Sequence, residues 1–322
     1  MNESSGNLPL VTVAMVTYNS GAYVRMAIES VLSSSYRNFE LIIADDNSSD
    51  NTWEIISSFR DSRIQAIRNE KNIGEYVNRN QCVQKAKGEY LIFIDGDDII
   101  YPHGMAYMVK MLEAFPECGM TLMYPYDPRV ILPVTFSPRD FYLNYYCGTG
   151  LMDVAFTNTL FRLETLRKAG GISARYKSGD NHARLMVAAL ADTLIIGDQL
   201  TWWRISPGQA SQQLNSNVRL AMWEAIDICN TALNSPQCPL TEEEKKKTRN
   251  NIGFRLKMEI LQRCKRLDLG QAFRLLPLAK EIPVSLGQLL STSMDRSLDP
   301  LKDYNGTNPY KLDFSRNPFS SF

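Results

Sequence analysis

Tyr90-Leu91-Ile92-Phe93-Ile94-Asp95-Gly96-Asp97-Asp98 joins an apolar, β-rich run to three carboxylates interrupted by one glycine. The short apolar run, bounded by turn-forming residues on both sides, reads as a buried strand. Carboxylates crowded at a strand terminus repel one another, and hard divalent cations prefer oxygen ligands. Open α/β sheets place their ligands beyond the carboxyl ends of their strands. The segment therefore predicts an open α/β sheet with a metal-assisted site for a phosphorylated ligand at its edge.

Upstream, strand and helix signals alternate. Residues 10–16 are apolar and β-branched and end in the loop signal Thr17-Tyr18-Asn19-Ser20. Val24, Ala27, Ile28, Val31 and Leu32 then follow a helical stripe with one buried face. A second strand at 39–44 runs into Asp45-Asp46-Asn47-Ser48-Ser49-Asp50. A helix around 52–59, a short strand at 64–67 and a helix over 75–87 lead into the quoted segment. Strands separated by helix-length crossovers predict an α/β fold with a doubly wound, mostly parallel sheet. One acidic tip alone would be an ordinary turn, because aspartate and asparagine favour turns. Two acidic tips and one polar tip on a shared sheet edge converge on a single crevice.

Downstream, Met105, Met108, Val109 and Leu112 form another helical stripe, its methionines reading as core filler. His103 reads as a loop or helix-start residue. Residues 118–150 are rich in proline, tyrosine and glycine and read as a binding loop. A helix begins near Asp180, and a strand at 193–196 precedes the adjacent Trp202 and Trp203. Past about residue 211 helix-like stretches dominate to about 290, and 291–322 form a polar tail. The expected organisation is an α/β domain over 1–210, in halves of about 1–100 and 101–210, then the helical region and the tail. Eleven lysines and arginines face five acids between Thr241 and Lys280. That excess suits either a solvated helical face or peripheral contact with anionic lipid.

Lysine plus arginine equals aspartate plus glutamate, 35 each, so composition gives no support for a nucleic-acid partner. Six cysteines without a CxxC pair read as buried or half-buried reduced thiols. No secretory signal and no run of the roughly 20 apolar residues that span a bilayer stand out. The expected location is cytoplasmic, with peripheral contact at the inner face of the cell membrane.

The series Val16-Thr17-Tyr18-Asn19, Asp45-Asp46-Asn47-Ser48-Ser49-Asp50, Asn72-Ile73-Gly74, Asn78-Arg79-Asn80, Gly88-Glu89-Tyr90 and Asp95-Gly96-Asp97-Asp98 resembles family 2 glycosyltransferases of the GT-A fold. The match runs in order over 11–102 and continues more weakly to about 211. A lone DxD arises by chance, so the ordered series carries the resemblance. It implies that Thr17, Tyr18 and Asn19 line the nucleotide base pocket, and that Asp46 contacts base or ribose while Asp45 shapes the turn. Gly74 lets the chain pass close to the nucleotide. Asn78 and Arg79 open the next helix toward nucleotide or phosphates, with a surface helix residue as the other reading of Arg79. Asp95 would lie near the ribose, and Asp97 would hold Mn2+ or Mg2+ bridging the diphosphate, with Asp98 structural.

For the catalytic base, Lys168-Ala169-Gly170-Gly171-Ile172 supplies the family's Gly-Gly turn, and Gly179-Asp180 fills its acidic slot. Asp180 is thus the implied base, and a helix N-cap is its alternative role. Gly179 replaces the family's first acid. The histidine that often completes the metal shell is missing from Trp202-Trp203-Arg204-Ile205-Ser206. His182 either stands in for it or faces the acceptor. Gln199 to Arg204 only mimics the processive Gln-x-x-Arg-Trp motif, with Trp and Arg reversed. The resemblance thus implies inverting, metal-dependent transfer of a single sugar from a nucleotide-sugar donor to an acceptor hydroxyl. The acceptor would be a glycan or lipid-linked glycan of bacterial surface polysaccharide synthesis. The rival readings are a sugar-1-phosphate nucleotidyltransferase, whose glycine-rich loop Thr17-Tyr18-Asn19-Ser20-Gly21 does not match, and a non-catalytic sugar-nucleotide binder.

Overall fold

The computed structural model describes residues 8–124, 131–148, 154–197, 200–204, 217–282, 291 and 293–300. Its first half is a parallel array of β1 (Val11–Thr17), β2 (Phe39–Asp45), β3 (Ile64–Arg68) and β4 (Tyr90–Phe93), in the order β3-β2-β1-β4. The crossovers are α1 (Val24–Leu32), α2 (Thr52–Ser58) and α3 (Glu75–Lys85). Every residue of β1 is buried, as expected for a parallel strand covered on both faces. Alternation splits its side chains between two cores. Val13 and Met15 pack with Leu41, Ile43, Ile92, Ile28 and Val31, whereas Ala14 and Val16 join Ile42, Ala44, Phe93, Tyr76 and Cys82 on the other face.

The second half adds β5 (Ile99–Ile100), α4 (Gly104–Ala114), β6 (Cys118–Tyr124), β7 (Val134–Phe136) and α5 (Pro138–Cys147). It continues through β8 (Thr159–Arg162), α6 (Leu163–Lys168), α7 (Gly179–Ala188), β9 (Asp192–Gly197) and β10 (Thr201–Trp202). The complete sheet has eight strands in the order β3-β2-β1-β4-β8-β6-β9-β7. β8 runs antiparallel to both β4 and β6, and β7 antiparallel to β9, so the sheet is mostly parallel. β10 and β5 form a separate antiparallel pair.

The stretch read as a binding loop is instead β6, β7 and α5, apart from 125–130 and 149–150, which lie outside the described residues. Its loop-like residues have other work. Pro138 occupies the first turn of α5, where its missing N–H costs nothing, and the Ser137 hydroxyl accepts from the Asp140 N–H as a cap. Tyr142 and Tyr146 are buried in the core.

The C-terminal region contains α8 (Val218–Asn234), α9 (Glu242–Lys265) and α10 (Leu269–Leu275). Thr241 and Glu244 close a capping box at the start of α9. Ile226, Cys229, Ala232, Leu233, Ile252, Leu256 and Leu275 belong to the same apolar cluster as Tyr142, Val187 and Phe93. The packing therefore continues across residue 210. All six cysteines are free; four are buried, Cys238 is half-buried, and Cys264 is exposed where a buried or half-buried thiol was expected. Among the described residues, no helix is long and apolar enough to cross a membrane.

Candidate active site

Register brings the expected tips together. β1 pairs with β2 out to Thr17 opposite Asp45, and with β4 from Val11 opposite Tyr90 to Ala14 opposite Phe93. The chain beyond β4 stays on this edge, because the Gly96 N–H donates to the Val16 carbonyl at 3.2 Å. A Cβ on Gly96 would come within 2.6 Å of the Thr17 methyl, so the acidic loop can lie this close only with glycine there.

Asp45 is fully buried and shapes its turn. It accepts from the Thr17 hydroxyl at 3.2 Å and from the Ser48 N–H and hydroxyl, and Arg68 lies 3.5 Å away. Asp46 also spends both oxygens on the chain. Oδ1 accepts from Ile73 N–H and the Asn69 amide, and Oδ2 accepts from Gly74 N–H, each at 2.9 Å. Gly74 follows with φ 89° and ψ 147°, a conformation essentially restricted to glycine. Asn78 is buried and donates to the Ala44 carbonyl at 2.8 Å, holding α3 against the end of β2. Asn19 adopts φ 51°, its side-chain oxygen accepting from the Ser49 N–H at 2.9 Å, while Tyr18 is exposed beside it.

Arg79 is not a surface residue: it is 4% exposed, lodged against the rings of Phe93 and Phe156. Its guanidinium faces both oxygens of Asp95, at 2.7 and 2.9 Å, and lies 3.5 Å from Glu75. Removing one member of a buried pair strands the other charge. Arg79→Met is therefore expected to lower stability by about 3 kcal/mol, read from the midpoint of chemical denaturation.

Asp98 is 1% exposed and accepts from the Arg204 N–H at 3.0 Å. Burial, with the charges of Asp95 and Asp97 added, pushes its carboxyl up to about 8, in keeping with a structural role. Arg204 was not singled out from the sequence as a site residue. Its Nε donates to the Asp97 carbonyl at 2.9 Å, and its guanidinium stacks over Tyr23 and Trp202 at 4.4 and 4.6 Å. The one available signal was the Trp-Trp-Arg run itself, which β10 carries to the acidic loop through its pairing with β5. Asp97 is half-buried on this edge. Among the described residues, no group of three or more His, Cys, Asp or Glu side chains forms a metal cage. Magnesium-like cations are commonly held by one or two carboxylates plus substrate phosphates, and Asp97 suits that sharing.

Across the crevice, α7 begins at Gly179 with Ser178 in the N-cap position, so Asp180 lies in the first turn and is not the cap. Its carboxylate is 3.5 Å from Arg184, a buried residue that also donates to Thr159 Oγ1 and to the Val154 and Ala155 carbonyls. Asp180 is close enough to Glu75 to act on its charge. Burial raises the Glu75 carboxyl, Arg79 opposes the rise, and Asp95 and Asp180 add to it. Glu75 in turn lies 3.5 Å from Arg79.

The surroundings of Asp180 explain the glycine before it. A Cβ on Gly179 would lie 2.5 Å from the Ser173 carbonyl oxygen and 2.9 Å from the Tyr76 ring. Restoring the family's acid as Gly179→Asp is thus expected to destabilise the fold by roughly 1–3 kcal/mol in thermal melts, without a gain in rate. Gly170 and Gly171 take φ 92° and 73°, and Asn80 brackets Ile172 by donating to its carbonyl and accepting from its N–H. From α8, the buried Glu224 accepts from the Lys177 N–H at 2.6 Å, the Ser178 N–H at 3.0 Å and the Ser178 hydroxyl at 2.6 Å. His182 is half-buried with its ring 5.4 Å from that of Tyr176, and burial pushes its pKa down. Gln199, Ile205 and Ser206 lie outside the described residues.

The chain is 42% identical over 154 residues to the UDP-Glc:alpha-D-GlcNAc-diphosphoundecaprenol beta-1,3-glucosyltransferase WfaP of Escherichia coli, covering 45% of this chain and 61% of that one. WfgD, of the same description and organism, is 37% identical over 103 residues, covering 32% of this chain and 41% of its own. The match thus spans less than two thirds of either relative. Among solved structures, Staphylococcus aureus TarS 1-349 with UDP-GlcNAc superposes with a TM-score of 0.57 at 17% identity, covering 76% of this chain and 70% of that one. Mannosyltransferase PcManGT from Pyrobaculum calidifontis, with GDP-Man and Mn2+, gives 0.59 at 17% identity, covering 88% and 78%. These likenesses show the fold, a GT-A sheet followed by a helical region. The family model of glycosyl transferase family 2 matches residues 12–170, and this segment of the chain, which holds the β1, β2 and β4 tips, belongs to that family.

Proposed function

We propose that the protein is an inverting, metal-dependent transferase that moves one sugar from a nucleotide-sugar donor to an acceptor hydroxyl. The observation that carries this reading is the convergence of the β1, β2 and β4 tips on one sheet edge, where the acidic loop presents a half-buried Asp97 and Arg79 grips Asp95. Thr17, Tyr18 and Asn19 take the base. Asp46 and Asn78 act at one remove, pinning the 72–74 turn and α3 so that Gly74 can approach the nucleotide. Asp95, held by Arg79, fixes the ribose end. Asp97 would hold Mn2+ or Mg2+, which would supply charge neutralisation for the departing nucleoside diphosphate. Asp180 removes the acceptor proton as the hydroxyl attacks the anomeric carbon from the opposite face.

The activities of WfaP and WfgD favour UDP-glucose as donor and a lipid-diphosphate-linked sugar as acceptor. Such a transfer would serve bacterial surface glycan synthesis at the inner face of the membrane. Screening UDP-, GDP- and dTDP-sugars for hydrolysis, with and without Mn2+, tests the reading. Metal-dependent release of one nucleoside diphosphate is the expected result. Pyrophosphate release from a nucleoside triphosphate would overturn it, as would nucleotide binding without turnover of any donor or acceptor.

A further inference from the structure

The end of α9, the turn after it and α10 form a hairpin whose outer surface is unusually apolar. Fifteen large hydrophobic residues are exposed among the described residues, and six fall within 258–276: Met258, Leu261, Leu267, Leu269, Phe273 and Leu276. Leu269, Phe273 and Leu276 recur at i, i+4 and i+7, so they share one helical face, while Ala272 and Leu275 turn into the core. Leu267, at the turn, is 84% exposed and adopts φ 59°, a left-handed conformation that leucine seldom takes. Water rewards neither feature.

Charge is distributed unevenly along the same region. In the first half of α9, Lys245 and Lys247 pair with Glu242 and Glu243, so that half is a solvated, ion-paired face. Residues 257–280 instead carry six cations (Lys257, Arg263, Lys265, Arg266, Arg274 and Lys280) and two acids, Glu259 and Asp268. Both acids are engaged by one residue, Arg263, at 2.8 and 3.5 Å. Beside the apolar face, Asn217, Arg219, Gln271 and Arg274 line a cleft of about 420 Å³.

We propose that this hairpin docks on a bilayer containing anionic phospholipid. Leu267, Leu269, Phe273 and Leu276 enter the boundary between headgroups and acyl chains. Lys265 and Arg266 meet lipid phosphates, and the Arg219–Arg274 cleft receives one of them. An apolar face rimmed by lysine and arginine is the composition that binds the plane of such an interface. The inference localises the membrane contact to the hairpin tip rather than to the whole basic stretch. It rests on the proposed lipid-linked acceptor only for its purpose, because docking does not need turnover.

Co-sedimentation of the full chain with vesicles tests it, using phosphatidylcholine alone and phosphatidylcholine with one third phosphatidylglycerol. The wild type is expected to bind the anionic vesicles, with binding falling as salt screens the charges. The double variant Leu269→Glu/Phe273→Glu is expected to lose at least about tenfold in that binding, with its thermal melt and metal-dependent donor hydrolysis unchanged. Equal vesicle binding by wild type and variant would overturn the proposal. So would a concentration-dependent dimer, seen by light scattering and abolished by the same substitutions, with no vesicle binding. Loss of donor hydrolysis in the wild type bears on the transfer reading alone.

Discussion

Asp180→Asn is expected to bind nucleotide as the wild type does and to lose transfer by about 10²–10⁴-fold, the usual worth of a general base. The substitution keeps the shape and removes the proton acceptor. It also removes the carboxylate from Arg184, but that guanidinium keeps Thr159 Oγ1 and the Val154 and Ala155 carbonyls as partners, so α7 should stay in place. Donor-side groups come from other elements, chiefly the β1, β2 and β4 tips and α3, which is why affinity and rate should separate. Single-turnover transfer alongside nucleotide titration measures both. A near-normal rate would remove Asp180 from the role of base.

Asp97→Ala is expected to abolish the metal-dependent part of nucleotide binding and to cut donor turnover by roughly 10²–10³-fold, as loss of a main electrostatic stabiliser does. Three hydrogen bonds of the loop use its own backbone: the Asp97 carbonyl accepts from Arg204 Nε, the Gly96 N–H donates to Val16, and the Asp98 N–H donates to the Asp95 carbonyl. Alanine preserves all three. Titrating nucleotide with and without Mn2+, beside a melting curve, separates metal loss from unfolding. An Asp97→Ala enzyme that retains full Mn2+-stimulated turnover would sink the metal role.

The first half of the fold was readable because buried parallel strands leave continuous apolar runs, and their polar ends mark the sheet edge without ambiguity. β1, β2, β3 and β4 lie within a residue or so of where periodicity puts them. The second half was harder for identifiable reasons. Pro138 and the tyrosines of α5 carry the composition of a loop while serving as a helix start and core. β8 has four residues and inserts antiparallel between strands distant in sequence, a placement no local pattern records.

At the site, residue identity was legible but division of labour was not. Nothing in Asn78-Arg79-Asn80 shows that the arginine is buried against an aspartate sixteen residues on, or that Asn80 brackets Ile172. Nor does Asp45-Asp46 reveal that the first carboxylate is consumed by its own turn and the second by the 69–74 segment. From the sequence, Gly179 read only as a replacement of the family's first acid. The Tyr76 ring and the Ser173 carbonyl make it a packing requirement.

Glu224 reaches from α8 to hold the two peptide N–H groups immediately before the helix that presents Asp180. The helix of the proposed base is therefore anchored from α8, and both lie beyond residue 170, where the family model ends. A domain cut at residue 210 would keep the β1, β2 and β4 tips yet leave the Asp180 helix without its tether. Chimaeras that exchange acceptor specificity among such enzymes would need to move α7 and α8 as one cassette, even though 29 residues of chain separate them.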